Sequence, residues 1–394
     1  MIGYDPFSDA VMRNPWPFYA RLRAEQPVFY SETYDTWFLS RFEDIWNSTK
    51  NDVFTAERGV TPEMVLLKAP PPPEPVFSML DMPRQRDYRR LLVPPYTKRR
   101  VSEMEPRIRA IVKETLEPLL AGESFDVYAD LADPVATRVI GELIGLPSEE
   151  ALPLRTLVDT LFRRQPGQVG TSPDGEEART RLLTRLMEIV AERAKRGDTG
   201  GEDHIAAMLR AEVEGRAPTH SMIAAMAFTM LVTGAEVVPL AVANTAYYLW
   251  QHPDQRRRAV ADPSLVTDAF TESLRYDQPT NLLGRFVARD VELGGQHLHS
   301  GQGVMFLWAS GNRDEREFER ADEFDITRRP RRSLSYGHGI HKCIGEHLGN
   351  LEGRLILEAL LAAAPEYAVD TNGASRAYSE FLHGYRCVPV APAG

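Results

Sequence analysis

The chain has 394 residues, 26% of them charged and 43% hydrophobic, with a formal net charge of −10 at pH 7. That balance fits a globular protein and argues against non-specific nucleic-acid binding, which needs a basic surface. Two cysteines give no disulfide framework and fit a reducing cytoplasm, and no run reaches the roughly 20 apolar residues of a membrane span.

The N-terminus, Met1-Ile-Gly-Tyr-Asp-Pro6, has no basic region followed by an apolar core, so no signal peptide is expected. A short amphipathic helix is expected at about 17–25. Two strands follow, at Val28-Phe29-Tyr30 and Thr36-Trp37-Phe38-Leu39, joined by a polar turn. Another helix starts near residue 41. Residues 57–78 read as a loop, stiffened by Pro70 to Pro73 and by Pro75. Residues 84–90 carry four arginines, a solvated basic helix face on composition alone. Apolar periodicity predicts helices over 103–119, 127–145 and 176–195, interrupted at Pro153 and by the Gly/Pro-rich loop 165–175.

Residues 221–250 form the longest helical pattern, roughly 45 Å at 1.5 Å per residue. It is apolar nearly all round and therefore expected to be buried. Its middle reads Thr233-Gly234-Ala-Glu236-Val237-Val238-Pro239. A buried acid is costly, and a mid-helix proline costs about 3 kcal/mol and kinks the helix. Two such departures within four residues mark either a functional site or a structural kink around a hydrogen-bonded Glu. In the next helix, over 264–277, Glu272 and Arg275 share a face and can pair. Residues 291–307 read as a hairpin.

Residues 334–345 read Leu-Ser-Tyr-Gly-His-Gly-Ile-His-Lys-Cys-Ile-Gly, with glycines at 337, 339 and 345, and lead into a helical pattern at Leu348, Leu351, Leu355 and Ile356. The loop delivers Cys343 ahead of a helix N-terminus, which favours thiolate. Three readings are open on the residues alone: a buried structural cysteine, a zinc ligand with His338, His341 and His347, or a thiolate axial ligand to haem iron.

The run Tyr336-Gly-His-Gly-Ile-His-Lys-Cys343-Ile-Gly345 resembles the haem-binding signature of the cytochrome P450 family, soluble bacterial type, which usually has Phe where Tyr336 stands. The resemblance extends over essentially the whole chain. It implies a mainly α fold with a small β region (about 26–60 and 280–308), in a single domain over 1–394. Haem b then lies between the long central helix and the cysteine loop. By that resemblance Cys343 is the axial ligand, and Tyr336, Gly337 and Gly345 shape the haem loop. Arg89, Arg285 and His341 hold the haem propionates. Gln85 stands where the family has a His, and brings no charge.

The central helix resembles the family's Gly-x-acid-Thr, where acid and alcohol organise protons and water for dioxygen activation. Gly234 and Glu236 match, while Val237 replaces the alcohol and has no hydroxyl to position water. The implied activity inserts one oxygen atom from O2 into a small lipophilic substrate, with a peroxide-dependent or atypical haem-thiolate oxidase as the alternative. A third reading is a non-catalytic haem or ligand carrier. Glu272, Arg275 and Arg328 are implied as a structural ion network behind the haem. Pocket residues are implied at Leu66, Leu67, Leu161, Phe162, Leu282, Leu283, Phe381 and Leu382. The chain carries no flavin or nicotinamide fingerprint, so electrons come from outside. Arginines at 84–100 and 328–332 point to an acidic ferredoxin, with its reductase, docking near Arg99, Arg331 and Lys342.

Overall fold

The apolar segment forms one helix of 32 residues, His220–Gln251, in a computed structural model that describes residues 3–74 and 76–392. Thr219 caps it, its hydroxyl accepting from the Met222 amide at 3.1 Å. The helix runs through Pro239 without interruption. Packing on nearly every side stabilises it where the missing N–H does not. It is long and apolar enough to cross a membrane, yet 67% of its most apolar window is buried in protein, which marks a core helix. Among the helices packed around it are Asp133–Ile144, Pro173–Arg196, Leu265–Tyr276 and Glu346–Ala363, together with the segment Val127–Ala132. Gly234 is needed for one of these contacts, because a Cβ there would lie 2.6 Å from Ile140 Cγ1.

Five strands make the main sheet, in the order Val28–Ser31, Thr36–Leu39, Gly303–Phe306, Leu283–Val287, Phe54–Thr55. Only the pairing of Thr36–Leu39 with Gly303–Phe306 is parallel. Alternation divides the side chains between two faces. Trp37, Leu39, Val304 and Phe306 join one apolar cluster; Phe38, Phe286 and Met305 join the other. The hairpin expected over 291–307 is therefore narrower. Val291–Leu293 pairs only with Gln296–Leu298, and Gly303–Phe306 belongs to the main sheet.

Pro153 does not break a helix. It is the third residue of Ala151–Phe162, in the first turn, where no intrahelical acceptor is required. The loop 165–175 ends earlier than expected, since Pro173 opens the next helix and the Ser172 hydroxyl caps it at Gly175. Within 57–78 lies the helical turn Pro62–Leu66, capped by Thr61, and a 3-10 turn, Phe77–Met79, starts at its end; Pro75 lies outside the described residues.

Candidate active site

The cysteine loop is closed by backbone bonds, Cys343 N to Tyr336 O at 2.8 Å and Gly337 N to Leu334 O at 2.9 Å. Gly337 and Gly339 have φ of +66° and +73°, left-handed conformations that favour glycine. A Cβ at Gly339 would also strike the Thr49 carbonyl. The Tyr336 phenol donates to Asn350 Oδ1 at 2.7 Å, tying the loop to the helix Glu346–Ala363. Cys343 presents open surface, yet its thiol is crowded by protein. Burial pushes that thiol up, against the opposing pull of the Gly345 N–H on its sulfur. The helix N-terminus does not reverse this, because the helix begins only at Glu346. His338 stacks on Trp46, ring centroids 3.4 Å apart. Among the described residues no histidine forms a metal-capable group with Cys343, which removes the zinc reading of the loop.

Beside the loop stand three cationic or basic groups. Arg89 Nη2 donates to the Lys342 carbonyl at 2.6 Å, while its buried Nη1 has no partner among the described residues. His341 Nδ1 is likewise buried and unpartnered. Arg285 is 8% exposed and bonds only its neighbour's carbonyl, Gly284 O, among the described residues. Burial lowers the Arg285 guanidinium to about 10, with Asp81 opposing. Burial, then Arg285 and Arg89, holds His341 down at about 3. Two guanidiniums and an imidazole thus crowd together with no carboxylate bonded to them, an unfavourable arrangement that an anion relieves. The two propionates of haem, with Cys343 as the axial ligand, fit this donor set. Gln85 does different work from that implied: its buried amide donates to the Ile340 carbonyl at 2.8 Å and pins the helix Arg84–Leu92 to the loop.

An opposite-sign test follows. Arg285→Met removes an uncompensated buried charge, so the apoprotein is expected to melt at a higher temperature. The same change removes a charge-assisted bond to the bound anion, worth about 1.5–3 kcal/mol, so haem should transfer to a scavenger apoprotein roughly ten to a hundred times faster. Both readings unchanged would remove Arg285 from the haem site.

The facing wall comes from the central helix. Thr229, Val232, Thr233, Gly234, Val237 and Val238 are open or half-open in the middle of a helix otherwise buried. Thr229, Thr233 and Val237 recur at four-residue spacing and share one line. Val238 lies close to Gly349, on the helix that follows the cysteine, with its Cγ2 3.5 Å from where a Cβ would stand. Val237, half-open on that line, presents two methyls and no hydroxyl. One turn earlier, the exposed Thr233 carries a hydroxyl that donates to Thr229 O at 2.8 Å and leaves its lone pairs free.

Glu236 is 1% exposed. Its Oε1 accepts from Arg155 Nη1 at 2.8 Å, and both oxygens accept from Arg386 Nη2, at 3.0 and 2.8 Å. Arg155 also meets Asp133 at 2.5 Å, Asp159 at 3.0 Å and the Tyr128 hydroxyl at 2.9 Å. Burial raises Asp133 to about 6 despite Arg155. Sequence reasoning missed both arginines. The available signal was Arg155 among Leu154, Val158 and Leu161, with Asp159 one turn on.

The eight candidate pocket residues do not converge. Leu66 and Leu282 sit in the core of one sheet face, Leu283 packs on the other, and Leu67 is 37% exposed. Packing against the sheet uses the apolar surface of Leu66, Leu282 and Leu283, whereas Leu67 is left open. Leu161 and Leu382 are buried, and Phe162 stacks on Phe381 at 5.9 Å and 25°. Arg164 bonds Glu63 at 2.8 Å and Glu380 at 3.3 Å, so one buried arginine ties the 57–78 loop to the C-terminal turn. Behind the loop, Glu272 accepts from Arg275 at 2.7 Å and from Arg328 at 3.1 Å. Glu352, on the helix after Cys343, is buried with one oxygen unpartnered among the described residues, and burial holds its carboxyl well above the usual range.

A family model described as Cytochrome P450 matches residues 97–363. The chain is 32% identical to a "Putative cytochrome P450 123" of Mycobacterium tuberculosis, covering 98% of this chain and 96% of that protein. It is 31% identical to a "Vitamin D(3) 25-hydroxylase" of Pseudonocardia autotrophica, with the same coverage of 98% and 96%. Among solved structures, a mutant of P450 EryK in complex with erythromycin B superposes with a TM-score of 0.88 at 26% identity, over 97% of this chain and 98% of that one.

Proposed function

We propose that this chain, which belongs to the cytochrome P450 family, is a cytoplasmic single-domain monooxygenase for a small lipophilic substrate, supplied with electrons by an acidic ferredoxin. The net reaction takes R–H, O2, two electrons and two protons to R–OH and water. The observation that carries the reading is the set of basic groups beside the Cys343 loop, Arg89, Arg285 and His341, which have no carboxylate partner among the described residues. Haem, when bound, would supply the dioxygen chemistry, and the Cys343 thiolate would be the residue that holds its iron.

The protein's own residues do the rest. Cys343 gives the ligand, and the Gly345 N–H on its sulfur tunes it. Arg89, Arg285 and His341 orient the cofactor by its propionates. Phe228, Val232 and Val237 keep the cavity apolar, and the stacked pair Phe162 and Phe381 forms its lipophilic side. Glu236 is the acid nearest that stripe in sequence. To pass a proton inward it must leave Arg155 or Arg386, both of which can receive it back. Thr233 Oγ1 can accept from a water at the stripe.

The electron donor is read from the outer side of the loop. A groove of about 640 Å³ runs between Arg86, Arg89, Arg90 and Ile340. Exposed Met82 and Ile340 give it an apolar patch, which suits a partner with an apolar centre and an acidic rim. The charge that serves it differs from the sequence expectation. Arg99 pairs with Glu103 and Lys342 with Glu346, whereas Arg90, Lys98 and Arg331 have no ion pair among the described residues. Reduction by a bacterial ferredoxin at low salt should fall about tenfold or more in Arg90→Glu plus Arg331→Glu, and its salt dependence should flatten. Product oxygen should come from labelled O2 as one atom per turnover. Unlabelled product would end the monooxygenase reading, and salt-insensitive reduction would end the docking reading alone.

A further inference from the structure

We propose that the hairpin Val291–Leu293/Gln296–Leu298 carries a zinc-class metal site on its outer face, built from Asp290, His297 and His299, with Glu292 orienting His297.

The register places these four side chains together. Glu292 lies directly opposite His297, and Asp290 and His299 are the next pair outward on the same face, since strand side chains alternate. One ligand atom from each of Asp290, His297 and His299 lies within 4.8 Å of the others. The Asp290 Oδ2 is 3.3 Å from His297 Nε2 and 3.3 Å from His299 Nδ1. Those separations are long for charge-assisted hydrogen bonds, which favour about 2.7–2.9 Å. They match the edge of a tetrahedron whose centre is about 2.0–2.1 Å from each ligand, which is about 3.3 Å. Two imidazoles and a carboxylate, with water in the fourth position, form a zinc donor set.

The surroundings are those of a ligand set and not of loose surface groups. His297 Nδ1 meets Glu292 Oε1 at 2.6 Å. With its N–H directed there, the Nε2 lone pair faces a carboxylate oxygen, a repulsive contact that a cation between them removes. This carboxylate–histidine arrangement is the common outer support of metal-bound imidazoles. Asp290 Oδ1 accepts from the Ser300 amide at 2.8 Å, which fixes the carboxylate with Oδ2 turned toward the two imidazoles. The His299 amide donates to Gln302 Oε1 at 2.9 Å, and the same oxygen accepts from Trp37 Nε1 at 2.7 Å. The ligand loop is thereby tied to the main sheet. All three ligands are exposed, so a metal can reach them. The competing occupant is a proton on His297, which bridges the same two atoms, so the test must separate a metal from a proton.

The experiment titrates zinc chloride calorimetrically into haem-loaded, chelator-dialysed protein, with magnesium chloride as the hard-ion control. One zinc per chain is expected and no magnesium. His297→Ala and His299→Ala should each weaken zinc at least a hundredfold, and Glu292→Gln about tenfold or more. Zinc should also slow amide exchange across residues 291–298 in the parent but not in His299→Ala. An unchanged haem absorption spectrum verifies that each variant is folded. Absence of zinc binding, or one-to-one binding that survives the double change of His297 and His299 to Ala, overturns the proposal. Equal affinity for magnesium would do the same, since it would reduce the site to surface charge.

Discussion

Arg275→Leu is expected to yield little or no folded, haem-loaded protein. Arg275 is 0% exposed and uses its whole guanidinium. Nε and Nη2 donate to the two oxygens of Glu272 at 2.8 and 2.7 Å. The rest of the fork reaches the carbonyls of Asn312, Ala321 and Glu323 at 2.9, 2.8 and 3.1 Å. These carbonyls belong to the irregular stretch that leads into the cysteine loop, so one side chain holds that path in place. Removing it leaves Glu272 in the interior with only Arg328 and the Asp325 amide, and it orphans buried acceptors. Breaking one partner of a buried pair costs about 3–5 kcal/mol, out of a total stability of about 5–15 kcal/mol. Arg275→Lys should not rescue it, because an ammonium cannot reproduce a planar fork of five donors. Urea midpoint and haem per chain are the measurements. Arg21→Ala is the control, since its pair with Glu25 is about half-exposed on both sides and such pairs contribute about 0–1 kcal/mol. A midpoint shifted no further than the control's would show the network to be dispensable.

That network also shows what a sequence reveals. Glu272 and Arg275 are three residues apart, so their pairing follows from helix geometry alone. The Cys343 loop was legible as a feature for a similar reason, since its glycines and one thiol lie within ten residues, while its reading as a haem ligand came from the family resemblance. The partners of Glu236 were not legible, because Arg155 is 81 and Arg386 150 residues away, and only the packed fold brings them to one carboxylate. The same holds for Arg164, whose partners Glu63 and Glu380 are 101 and 216 residues distant. Strands were recognised by alternation, but their partners were not: Gly303–Phe306 read as half of a local hairpin with 291–295 and instead lies between Thr36–Leu39, from the N-terminal part of the chain, and Leu283–Val287. Pro153 was misread because a proline's effect depends on its place in the helix, and the start at Ala151 is set by what the following turns pack against. Leu66, Leu282 and Leu283, which pack on the sheet, show the opposite difficulty. A leucine pattern specifies burial, and burial against a sheet and against a substrate look alike in sequence.

Glu236→Gln should lower product formation about a hundredfold or more, the scale on which a positioned acid–base group contributes. It should do so without unfolding the protein, because Arg155 keeps Asp133 and Asp159 and the amide oxygen can still accept. The neighbouring hydroxyl decides what the lost turnover becomes. With Val237 at the expected alcohol position, water at the stripe has no donor there, and reducing equivalents are free to leave as peroxide. Thr233 lies one turn earlier on the same line, exposed and with its lone pairs unused. If that hydroxyl does the positioning, Thr233→Val should raise peroxide per electron several-fold, and Thr233→Ser should restore coupling. Val237→Thr should then change little, because the water is already held. If instead Val237→Thr alone raises product per electron while Thr233→Val is silent, the hydroxyl is missing in the parent enzyme. The peroxide-dependent reading would then gain what the oxygen-dependent one loses. Counting peroxide against product in these variants distinguishes the two. It does so independently of Glu236, since a proton donor limits rate whereas a water-positioning group limits how the electrons are divided.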